Sequence, residues 1–136
     1  MGRDLHSYTA DSFYIHLGKL FYAVAAVDKV VKEEEVDTFK KIVENQWLKF
    51  DKFEDEFGTD AAYQIEIIFD WLDENDPEPG EAYLEFEDYY KEHQRLFTPK
   101  VKQMIWKTAD AIAASYAGKN KSELILLSKL KSLLKN

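Results

Sequence analysis

Phe13, Leu17, Leu20, Phe21, Val24 and Val31 recur at the three- and four-residue intervals that gather apolar side chains on one side of a helix. Val36, Phe39, Val43, Trp47 and Phe50 repeat the pattern, so two helices open the chain. Thr59 or Asp60 is suited to cap a third, whose stripe is Ile65, Ile68, Phe69 and Leu72. Ile67 and Trp71 lie off that stripe, and apolar groups on two sides predict that this helix is central. Pro77, Pro79 and Gly80 interrupt the pattern at DENDPEPG, which predicts a loop over residues 73–80. Tyr83, Phe86, Tyr89, Tyr90, His93 and Phe97 then predict a fourth helix with a wide aromatic face.

Thr98 can cap a fifth helix, with Pro99 at a first position where no N–H bond is lost. Its stripe is Val101, Ile105, Thr108, Ala109, Ile112 and Tyr116. Gly118 suits a left-handed helix end, and Asn120 with Glu123 suits a reciprocal cap on a sixth helix carrying Leu124, Leu127, Leu130 and Leu134. Six helices with short connections predict one compact all-α domain over residues 1–136, with residues 1–10 the candidate for disorder. A weak internal repeat runs through it. AVAAVDKVVKEEEVDTF and AIAASYAGKNKSELILL each join an alanine-rich helix to one opening with glutamate, as two helix-turn-helix halves about a pseudo-twofold axis would.

Composition narrows the class. An apolar share of 46% supports a packed interior, and the absence of cysteine rules out disulfides and thiolate metal sites. The N-terminal MGRDLHSYTADSF lacks the apolar core of a secretory signal, and no apolar run approaches the roughly 18 residues that span a bilayer. A cytoplasmic protein is expected. The net charge of −8 is unevenly spread: residues 51–97 carry 16 acids against 3 bases, residues 98–136 only 2 against 8. Such a field repels phosphate and argues against direct nucleic-acid binding. It fits a protein partner, and leaves a homodimer open.

Catalytic chemistry finds little footing. The chain has no glycine-rich phosphate loop, no HExxH, no Glu-x-x-His pair and no complete EF-hand, and His6, His16 and His93 share no spacing. A non-enzymatic protein is expected, with His93 a half-buried residue of an aromatic face and not a ligand. Phe50, Phe53 and Phe57 in WLKFDKFEDEF share a helical face that either enters the core or forms an apolar, acidic ridge for a basic partner.

The stretch VDKVVKEEEVDTF raises a sharper question, because Asp28 faces the negative end of one helix dipole while Glu33, Glu34 and Glu35 meet the positive end of the next. Asp28 either accepts backbone N–H bonds at the start of that next helix or joins Glu35 on a hard cation. The phrase Ala25-Ala26-Val27-Asp28 before this glutamate-led helix, with a partial second copy at residues 114–123, resembles the TerB-like domains of tellurite-resistance proteins and DnaJ-like co-chaperones. That resemblance implies an all-α interaction module in a stress-related setting. It also implies a divalent-cation site for calcium, magnesium or manganese at the acidic turns, with Asp28, Glu34, Glu35 and Glu123 the candidate ligands. Lys29 stands where the family usually has glycine and Ala117 where a second aspartate would sit, so weak binding is expected. The competing expectation is an acidic adaptor or inhibitor that captures a basic protein through residues 51–97.

Overall fold

The computed structural model describes residues 5–27, 33–47, 63–114 and 121–135. Among these residues the chain forms six α-helices and no strand, the all-α bundle expected. They are α1 Leu5–Ala26, α2 Glu33–Ile42, α3 Tyr63–Asn75, α4 Pro79–Glu92, α5 Pro99–Ala114 and α6 Lys121–Leu134. A π-helical turn, Val43–Trp47, continues α2, and a 3-10 turn, Gln94–Leu96, links α4 to α5.

The central helix is α1, not α3. Every residue from Leu20 to Ala26 is buried, so this part of α1 is apolar around its whole circumference and is covered on all sides. It packs against α3, α4, α5 and α6. In α3, by contrast, Ile65, Phe69 and Leu72 face inward while Ile67 and Trp71 remain 56% and 58% exposed. The second apolar side of α3 therefore does not enter the core, and a row of acids lies beside it.

The approach of α3 to α1 depends on Gly18. A Cβ there would stand 2.9 Å from both Cβ and Cγ2 of Ile68 and 3.0 Å from the Ile65 carbonyl oxygen. Helix propensity favours alanine over glycine, but the contact leaves no room for it.

Of the second predicted stripe, Phe39, Val43 and Trp47 are fully buried and Val36 is half-buried. The indole N–H of Trp47 donates to the Thr108 hydroxyl at 3.0 Å, and that hydroxyl donates to the Met104 carbonyl at 2.8 Å. A buried polar link thus joins the π-helical turn to α5 with the threonine acting as acceptor and donor.

The connection between α3 and α4 is shorter than the predicted loop over 73–80. Only Asp76, Pro77 and Glu78 are non-helical, because Pro79 opens α4, where its missing N–H and fixed φ do no harm. Asp76 takes a left-handed φ of 53°, and its N–H closes α3 on the Leu72 carbonyl at 2.7 Å. The Tyr22 hydroxyl ties this turn to α1 by donating to the Pro77 carbonyl at 2.9 Å. Burial, and then the nearby carboxylates of Asp76 and Asp73, push that phenol up to about 12.

Further along, α4 ends at Glu92, before the predicted stripe does, yet Phe97 still reaches the core beyond the 3-10 turn. The Thr98 cap is present, its hydroxyl accepting the Val101 N–H at 3.2 Å. In α6 the buried face is turned from the predicted one: Leu126, Leu127, Leu130 and Leu133 are buried, Leu134 is half-buried and Leu124 is 52% exposed. Residues 124–127 are all apolar, so spacing alone could not fix the phase. Phe50, Phe53 and Phe57, the caps at Thr59 or Asp60, and Gly118 and Asn120 lie outside the described residues, as do the two turns of the internal repeat.

Gly18→Ala is expected to lower stability by about 1 to 3 kcal/mol, the usual cost of overpacking, in spite of its higher helix propensity. Adding Ile68→Ala should recover part of the loss, giving a non-additive pair in urea melts. A Gly18→Ala protein more stable than wild type would show that the two helices do not meet at this point.

Candidate functional site

Of the four candidate cation ligands, Glu123 alone has a described side chain. It lies in the first turn of α6 and is only 3% exposed, where the positive end of the helix dipole favours a carboxylate. Asp28 and the side chains of Glu34 and Glu35 lie outside the described residues. Among the described residues no three His, Asp or Glu side chains are grouped to hold a metal.

The outward face of α3 offers a different kind of site. Tyr63, Ile67 and Trp71 follow one another every four residues and are 40%, 56% and 58% exposed, forming an apolar ridge about 12 Å long. Beside it runs an acidic row of Glu66, Asp70, Asp73 and Glu74. Lys40 reaches Asp70 at 3.3 Å, an exposed pair of little energetic weight. Glu66 is half-buried, and its Oε2 finds no hydrogen-bond partner among the described residues. Burial, then the carboxylate of Glu44, raises its pKa against the opposing pull of Lys40. Asp73 is raised as well, by burial and then by Asp70, Asp76 and Glu74, its acidic neighbours.

Two grooves lie elsewhere on the surface, one within the basic segment 98–136 and one that straddles the acidic and basic segments. Between α5 and α6 an open groove of about 270 Å³ is lined by Lys102, Gln103, Trp106, Lys131, Leu134 and Lys135, a basic rim around an apolar floor. Lys131 Nζ sits 5.9 Å above the Trp106 ring. Between α4 and α6 a groove of about 740 Å³ combines Val27, Leu84, Ile125 and Leu126 with Glu78, Glu81, Glu87 and Lys129. Tyr83 also lines it; burial, then Glu87, push its hydroxyl up to about 12, so it is a neutral donor at ordinary pH.

Sequence spacing gave no sign that His16 and His93 would meet on one tyrosine. The His16 ring stacks on Tyr89 with centroids 4.0 Å apart and planes at 10°, and His93 stacks on Tyr89 at 4.1 Å and 22°. Two parallel rings cannot share one face of a phenol at those distances, so they occupy opposite faces and cannot converge on one ion. Each Nδ1 lies against a backbone carbonyl, Ser12 at 2.8 Å for His16 and Tyr89 at 3.0 Å for His93, which assigns the proton to Nδ1 in both. His93 is therefore a half-buried residue of the aromatic face, as its setting in the sequence implies.

The chain matches no known protein-family model, no curated protein and no solved structure.

Burial chiefly, with Lys19 and His93 adding to it, lowers the pKa of His16 below 6.5 against the pull of the Ser12 carbonyl and Glu85. A depressed folded-state pKa means the unfolded chain takes up the proton first. The stability carried by neutral His16 is whole above about 6.5 and declines as pH falls through the lower folded value. Urea midpoints of wild type and His16→Gln, compared from pH 7.5 down to 5, should therefore converge as pH falls. Parallel curves would remove His16 from the acid sensitivity.

Proposed function

We propose that this chain is a non-enzymatic helical interaction module that captures a basic, amphipathic protein surface on the outward face of α3. The observation that carries the reading is the exposed ridge Tyr63, Ile67 and Trp71 with acids along its flank. A helix that already buries Ile65, Phe69 and Leu72 needs no second apolar face for its own folding. Trp and Tyr are the residue types that most often anchor interfaces, while the acids supply steering and register for a partner bearing lysine or arginine. This face lies within the acidic segment 51–97, so the adaptor expectation gains a specific contact surface.

The TerB-like resemblance adds to this proposal a stress-related setting and a weak divalent-cation site at Asp28, Glu34, Glu35 and Glu123. A ligand that binds only the folded chain raises its melting temperature with the logarithm of concentration. Millimolar calcium, magnesium or manganese is expected to give a small rise that sodium at matched ionic strength does not reproduce. An unchanged melting curve with all three ions, and no calorimetric heat, would remove the cation.

The contact face is tested with a synthetic amphipathic helix of leucine and lysine, titrated against the chain by calorimetry. Binding should weaken steeply as salt rises, and Trp71→Ala should weaken it about tenfold or more, the loss typical of an anchoring aromatic. Because Trp71 is exposed, that variant should melt like wild type. Capture indifferent to both Trp71→Ala and salt would refute the proposed face.

A further inference from the structure

The chain carries, on separate helices, both halves of the contact that the α3 face calls for. The ridge of α3 is apolar with an acidic flank. The α5–α6 groove is apolar with three lysines, Lys102, Lys131 and Lys135, and no acid in its lining. We infer that the α3 ridge of one copy docks into the α5–α6 groove of a second copy, with Trp71 lying against Trp106 and Leu134 and with Asp73 and Glu74 meeting Lys131 and Lys135. This inference rests on the reading of α3 as the contact face and names its partner.

Charge complementarity carries the argument. A net charge of −8 would by itself keep copies apart, but the acids are concentrated in residues 51–97 and the last 39 residues carry 8 bases against 2 acids. Across about one Debye length the local faces, and not the net charge, decide the sign of the interaction. The contact also supplies what each face lacks. Trp106 is half-buried beside a lysine that already lies over its ring, and Trp71 is 58% exposed with no aromatic ring stacked on it among the described residues. Offset packing of the two indoles would remove both from water. Because ridge and groove are different patches, the contact is heterologous: every copy offers one of each, and association grows with concentration until a ring closes.

Sedimentation equilibrium of the full chain at about 0.1 M ionic strength, where the Debye length is about 10 Å and the local faces decide, reads this directly. The weight-average mass of wild type should climb above one chain as concentration rises and fall back as salt is added. Two variants separate the halves: Asp73→Lys with Glu74→Lys spoils the ridge, and Lys131→Glu with Lys135→Glu spoils the groove. All four positions are exposed, so both variants should keep the wild-type circular dichroism and melting curve. Each alone should stay a single chain. Mixed, they should associate, since the intact groove of one meets the intact ridge of the other and the two reversed patches are themselves of opposite charge. A wild type that remains a single chain at all concentrations, or a mixture that does not combine, overturns the self-contact. If wild type stays single yet still captures the leucine–lysine helix, only the self-contact falls; if it does neither, the contact face falls with it.

Discussion

The close contact of α1 with α3 at Gly18 governs the arrangement of the rest of the molecule. A helix whose residues 20–26 are buried throughout must be enclosed, and enclosure requires neighbours on every side. At Gly18 the backbone of α3 comes within 3.0 Å of where a Cβ would stand. That approach lets Ile65, Phe69 and Leu72 reach the centre, where Phe69 stacks on Phe39 with ring centroids 4.4 Å apart. It also fixes the rotation of α3, and the rotation sends Tyr63, Ile67 and Trp71 outward. The same packing step that completes the core therefore creates the candidate contact face.

Inside the bundle, polar groups follow two patterns. Trp47, Thr108 and the Met104 carbonyl form a satisfied chain, and the Tyr22 hydroxyl anchors the short α3–α4 turn at Pro77. Such bonds contribute about 1 kcal/mol each when made and cost more when one partner is removed, so they specify the arrangement more than they stabilise it. On α4, the hydroxyls of Tyr83 and Tyr90 are buried with no hydrogen-bond partner among the described residues. Each leaves a desolvated group whose cost the surrounding aromatic packing has to offset, as in the Tyr90–Phe97 pair at 4.7 Å.

Charge is segregated along the chain and the segregation persists in space. Acids line the outward face of α3, and lysines rim the α5–α6 groove. Among the described residues the ion pairs between elements, Lys19 with Glu85 at 2.9 Å and Lys40 with Asp70, are at least partly exposed and do little for stability. The acids of α3 and the lysines of the groove thus present opposite charge on separate surfaces, where they can steer a partner.

The sequence by itself determined the helices, since three-four periodicity, the Thr98-Pro99 start and the alanine-rich helix ends are local signals set by backbone geometry. It determined most of the core as well, down to Phe39 on α2, Val43 and Trp47 on the π-helical turn, and Val101, Ile105 and Ile112 on α5. Its reading of the candidate site was thinner. The acidic turn at Asp28 was legible only as a pattern of charge, and segment 51–97 only as an excess of acid. The inward stripe of α3 was legible, but that its other apolar side faces water was not, because apolar residues on both sides predict a covered helix and the outcome follows from where Gly18 lets it sit. The phase of α6 was hidden for a related reason, four successive apolar residues fitting several faces equally. His16 and His93, 77 residues apart, meet across Tyr89 only when α1 and α4 pack. Periodicity is a property of one helix, whereas exposure and contact are properties of a pair, and only the tertiary structure supplies the second member.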